Sequence, residues 1–193
     1  MAKLRGAAKE AWERTVRLHQ LLRSGGEPDP VPITDLDIDD VCYADIDLEY
    51  ARLYSPEITV SVQQTVPRFT INPMRKLRDS LDAAAARREF ERAQREAAKL
   101  ATPRWHSEGV TRVILTDERL LCEVGGQWLE FGHGSLTGVT IDVADWAVEL
   151  AYADTPPLRL SGLDAPGYGL VISWLIGGPQ ALETPKFAMF ESG

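Results

Sequence analysis

Between residues 110 and 178, apolar side chains recur at every second position in short runs broken by turn formers. Val113 and Leu115, then Leu120, Cys122 and Val124, alternate with mostly polar neighbours. That is the period of strands with one buried face. Thr116-Asp117-Glu118-Arg119 interrupts the alternation with turn residues, so the flanking strands fold back on each other. Gly125-Gly126 predicts a second hairpin turn before Trp128, Leu129 and Phe131, and Gly132-His133-Gly134-Ser135 reads as a loop. Residues 136–143 and the set Trp146, Val148, Leu150 and Tyr152 predict two more strands, followed by a turn at Pro156-Pro157 and a short strand at 158–160. Asp164 is then expected to cap a helix with Pro166 in its first turn, through the apolar run 170–176, ended by Gly177-Gly178-Pro179. The pattern is that of a strongly curved sheet closed by one C-terminal helix, with 179–193 as a loosely held tail.

Upstream, residues 3–23 predict a helix, with Leu4, Ala8, Ala11, Thr15, Leu18 and Leu22 on one stripe and Trp12 and His19 on its flank. Trp12 makes this face adhesive, either for the body of the same chain or for a partner. Residues 27–40 hold three prolines among acids and read as an extended linker with a solvated acidic edge. Cys42, Ala44, Ile46, Leu48 and Tyr50 then alternate with Asp45, Asp47 and Glu49, predicting a strand with an acidic outer face. The alternation of Ile58, Val60, Val62, Gln64 and Val66 predicts its hairpin partner. Asn72-Pro73 opens a second helix, residues 73–101, whose apolar face changes from Leu77, Leu81 and Ala84 to Ala86, Phe90, Ala93, Ala97 and Leu100, so it either breaks near 79–82 or buries a different face in each half. Arg88, Arg92, Arg95 and Lys99 line up opposite the second stripe. Pro103 to His106 link this helix to the strands that follow.

The resulting division is an N-terminal helical arm, 1–26, a β domain, 31–178, carrying the inserted helix, and the tail. Its 193 residues suffice for one sizeable core. The net charge of −8 is segregated: ten acids against Arg52 alone in 27–57, and nine bases against five acids in 58–100. This balance argues against general nucleic-acid binding and pairs the basic stripe with the acidic strand, within the chain or across a homodimer. No apolar run reaches the ~20 residues of a membrane span and no secretory signal opens the chain, so cytoplasmic residence is expected, with Cys42 and Cys122 read as buried free thiols in preference to a disulfide, the alternative for two cysteines.

Little chemistry is on offer. Asp35, Asp37 and Asp39 start like a calcium loop, but Asp40 stands where glycine is needed and Ile46 where a bidentate glutamate is needed. His19, His106 and His133 share no metal-like spacing, and nucleophile, P-loop and zinc motifs are absent, so no enzyme, cofactor or metal is predicted.

Thr116, Asp117, Arg119 and Leu120 match a Thr-(Asn/Asp)-x-Arg-Leu segment, and with the strand order and single terminal helix the chain resembles bacterial pleckstrin-homology-like (PH-like) and GRAM-like domains over 108–178 and 41–66. Gly162-Leu-Asp-Ala-Pro166 is similar to the lead-in to the last helix of actinobacterial proteins with this ending. The resemblance implies an α+β fold: a PH-like curved antiparallel barrel capped by a C-terminal helix. It also implies either a protein-interaction scaffold or a lipid-headgroup binder. The acidic β part favours a scaffold gripping a protein partner through Trp12 or through Asp45, Asp47 and Glu49. The rival is a membrane-surface contact through Arg88, Arg92, Arg95 and Lys99.

Overall fold

The computed structural model describes residues 2–54, 92 and 102–191. The chain divides into two units, Met1–Leu53 with Trp105–Gly193, and Tyr54–Arg104. The first unit carries the sheet. In the second, Tyr54, Arg92 and residues 102–104 are described, and Arg92 is helical and exposed. The expected strand at 58–66 and most of the expected helix at 73–101, with Arg88, Phe90, Arg95 and Lys99, lie outside the described residues.

Helix α1 spans Ala2–Arg23. Strand β1 is Cys42–Tyr54, β2 Arg104–Thr116, β3 Arg119–Val124, β4 Gln127–Gly132, β5 Leu136–Asp142, β6 Ala147–Tyr152 and β7 Leu158–Ser161; helix α2 follows at Ala165–Ala181. The seven strands form one antiparallel sheet in the order β4-β3-β2-β1-β7-β6-β5. Thus α+β with a terminal helix holds, but the expected barrel does not close. β4 and β5 are the two edges, and the single 3-10 turn His133–Ser135 carries the chain from one to the other. The sheet nevertheless curls enough to bring Phe131 of β4 to 5.5 Å from Tyr152 of β6, ring centre to ring centre. Side chains, rather than ladder hydrogen bonds, fill this seam.

The turns follow the sequence chemistry. Gly125 and Gly126 both have positive φ, 59° and 76°, which a two-residue I′ turn requires. Thr116 organises the other turn: its hydroxyl oxygen accepts from the Glu118 and Arg119 amides at 3.3 and 3.0 Å and sits 2.9 Å from the Arg119 carbonyl. Gly178, at φ 64°, breaks α2 where the sequence predicts a stop. Trp146 lies in the β5–β6 turn at φ 50°, not in the strand as expected, because β6 begins one residue later. Residues 104–106, expected to be a link, open the long strand β2.

One face of the sheet holds the main core. Leu48, Tyr50, Val113, Leu115, Leu120, Cys122, Val148, Leu150, Leu158 and Leu160 pack against Leu170 and Ile172 of α2. Helix α1 lies along α2 rather than projecting as an arm. The tail, expected to be loose, forms a 3-10 helix, Pro185–Phe190, whose Phe187 and Phe190 are fully buried. Phe190 meets Trp12 at 5.2 Å, and both phenylalanines flank the buried His19. Asp164 does not cap α2 through its side chain; its carboxylate accepts from Arg14 of α1 at 2.7 Å.

The opposite face has a smaller core of Cys42, Ile114 and Leu121, and residues 27–41 form a strap over it instead of a free linker. Ile33, Leu36 and Ile38 pack there, while Arg119 grips Asp40 through two hydrogen bonds, 2.8 and 3.3 Å. The alternation expected for β1 therefore fails at its start, since Cys42 joins this second core while Leu48 and Tyr50 join the first.

Candidate functional site

Arg52 enters the seam from β1. Its neighbour in register is Leu158, the first residue of β7, so it stands at the end of the sheet next to the β6–β7 loop. The guanidinium lies 5.1 Å from the centre of the Phe131 ring, within cation–π range. It donates to the Tyr50 hydroxyl at 3.2 Å and to the Thr155 hydroxyl. Among the described residues it has no carboxylate partner, unlike Arg112, Arg119 and Arg159, each of which holds two. Burial pushes the Tyr50 phenol above its usual range, opposed by the charge of Arg52.

Around this cation opens a cleft of about 420 Å³, walled by Val124, Leu129 and Phe131 and rimmed by Glu108 and Glu130. A smaller one of about 190 Å³ adjoins it through Glu130, Phe131 and Thr155 and reaches Tyr152 and Asp154. The Tyr152 hydroxyl is buried with no hydrogen-bond partner among the described residues. A third hollow, about 400 Å³ and largely apolar, lies between α1, α2 and β1, with the Arg14–Asp164 pair at its lining.

Of the residues singled out from the sequence, Trp12, Asp45, Asp47 and Glu49 are described in this unit, and none of them lines the cleft. Trp12 is half-buried against Phe190, inside the chain's own packing. Asp45 accepts from Arg112 at 2.8 and 2.6 Å, so the acidic strand is partly neutralised by the neighbouring strand. Glu49 accepts from Ser107 at 3.0 Å, and Asp47 is exposed. The expected acidic edge at 27–40 is also engaged: Arg112 holds Asp35 as well, keeping that carboxyl below its usual range. Sequence reading missed Arg52, Tyr50, Thr155 and Tyr152. Its one usable signal was Arg52 itself, the lone base in a stretch of ten acids.

Burial keeps both thiols protonated and one imidazole neutral. Burial pushes the Cys122 thiol up to about 12 and raises Cys42, and it lowers His133, whose Nε2 lies 3.0 Å from the Thr116 carbonyl. No cluster of three metal-binding side chains occurs among the described residues, and no helix there is long and apolar enough to cross a membrane. Compared with known proteins, the chain matches no family model and no curated relative.

Proposed function

We propose that this chain is a non-catalytic protein-interaction module on a PH-like fold, receiving its partner at the seam cleft. The observation that carries this is Arg52, a cation held over Phe131 in an open cleft and ion-paired to no carboxylate among the described residues, although Glu108 and Glu130 stand at the rim. A half-buried charge is stabilised by a counter-charge, so one that lacks it internally suits a ligand that supplies it. Two meanders, β1 to β4 and β5 to β7, followed by α2, support the PH-like reading. Thiols that burial keeps protonated suit binding better than covalent chemistry, and two buried free cysteines fit the reducing cytoplasm.

Affinity capture from the native organism tests this, using the wild-type chain and Leu129→Asp. Leu129 is 37% exposed, so the charge alters the cleft wall without entering the core. A protein retained by the wild type and lost with Leu129→Asp is the expected result. Salt-sensitive flotation with anionic vesicles, without any such protein, would replace this reading with the membrane-surface one.

A further inference from the structure

We infer that the seam cleft captures the free C-terminal carboxylate of its partner polypeptide, with a basic side chain close to that terminus. The inference rests on the interaction-module reading and names the part of the partner that is held.

Arg52 is prepared for a planar anion. Of the five N–H donors of a guanidinium, Tyr50 and Thr155 take one each, and no other described residue takes the remaining three. The guanidinium sits 5.1 Å from the Phe131 ring centre, held by this contact and by its two hydroxyl partners, and a carboxylate can accept two parallel bonds from a guanidinium. The smaller neighbouring hollow, not the seam cleft itself, is lined by a further polar side chain. Tyr152 is 7% exposed, its ring packs on Phe131, and its hydroxyl lacks a partner among the described residues.

The rim decides what accompanies the carboxylate. Glu130 is engaged by Arg119 at 3.0 Å, whereas Glu108 is exposed with no ion pair among the described residues. A dianionic phosphate would face Glu108 across the cleft, but a carboxylate with a cation alongside satisfies both Arg52 and Glu108. Val124 and the exposed side of Leu129 give an aliphatic last residue an apolar wall. The cleft also continues into its smaller neighbour, leaving room beyond a single residue. A free amino acid shares the end-group chemistry, so the test separates the two sources.

The probe is a pool of fluorescent hexapeptides randomised at the last three positions, offered to the full chain as free acids and as C-terminal amides. Selected free-acid peptides should carry Lys or Arg near an aliphatic last residue. Amidation of a selected peptide should weaken it by about tenfold or more, the cost of losing a bidentate charged pair. Arg52→Lys, which keeps the charge but not the fork, should weaken it similarly with an unchanged circular dichroism spectrum. Glu108→Gln, at an exposed position, should abolish the basic preference and leave the dependence on a free carboxylate. Selected peptides that bind equally well as amides, or no enrichment of acids over amides, overturn the inference. Free leucine or lysine binding as tightly as the selected peptide also overturns it, in favour of an amino-acid site. A captured partner that binds through an internal segment would sink this inference and leave the module reading standing, whereas capture of no partner sinks that reading first.

Discussion

Arg112 of β2 clasps Asp45 of β1 with two hydrogen bonds, 2.8 and 2.6 Å, and reaches Asp35 of the strap with the same guanidinium. Its face lies 5.8 Å from the Trp128 ring. One side chain thus ties strand, strap and outer aromatic together, and the side chains of the Arg112–Asp45 pair are only 26% and 20% exposed. Arg112→Ala should cost about 1.5–3 kcal/mol, more than an exposed surface pair, because it leaves a partly buried carboxylate without its donors. Urea denaturation checks this, and a loss below about 0.5 kcal/mol would mean that Ile33, Leu36 and Ile38 with the Arg119–Asp40 pair hold the strap without Arg112.

The C-terminal 3-10 helix is structural. Phe190 is fully buried and stacks on Trp12, so Phe190→Ala should destabilise the fold by roughly 3–5 kcal/mol. Trp12→Ala and Phe190→Ala should be non-additive by about 0.5–1.5 kcal/mol, as expected of an aromatic pair. Additive denaturation free energies would show that α1 does not depend on the tail.

The thiols give a chemical readout. With Cys122 pushed up to about 12 by burial and Cys42 raised as well, neither should react with a thiol reagent at pH 8 in the native protein. Both should titrate at once after unfolding. A thiol that reacts with the native protein as fast as free cysteine would mean that its core opens readily.

His133 sets an acid limit. Burial lowers its folded pKa below the ordinary 6.5, so the unfolded chain takes up a proton that the folded chain resists. The stability this contributes is fully present above the unfolded value and declines as pH falls from about 6.5 towards the folded pKa. Unfolding free energy should therefore drop over that window, and His133→Gln should flatten the slope. An identical slope in the variant would place the acid sensitivity elsewhere.

Thr116 holds the β2–β3 turn. Thr116→Val keeps the shape but removes the acceptor for the Glu118 and Arg119 amides, and should cost about 1–3 kcal/mol. A midpoint within error of the wild type in chemical denaturation would show that Asp117 and Arg119 carry the turn without it.

The sequence by itself determined the elements whose cause is local. Alternating core positions marked β3, β6 and β7, although Leu121 between Leu120 and Cys122 is buried too, in the second core; Gly125-Gly126 and Thr116–Arg119 fixed two hairpins, and Gly178 ended the main run of α2. Long-range pairing was not legible there. Polar and acidic residues at 27–40 look solvated until Arg112 and Arg119, more than seventy positions away, arrive to neutralise Asp35 and Asp40. Phe187 and Phe190 look like a tail because two aromatics in six residues make no period, yet α1 and α2 bring them a core. The cleft is wholly tertiary. Arg52, Phe131 and the 152–155 stretch come from three places in the chain, and only the curl of an unclosed sheet brings them together. Periodicity reports which face of a strand is buried, but where the sheet's edges stop short of each other depends on the summed twist of seven strands.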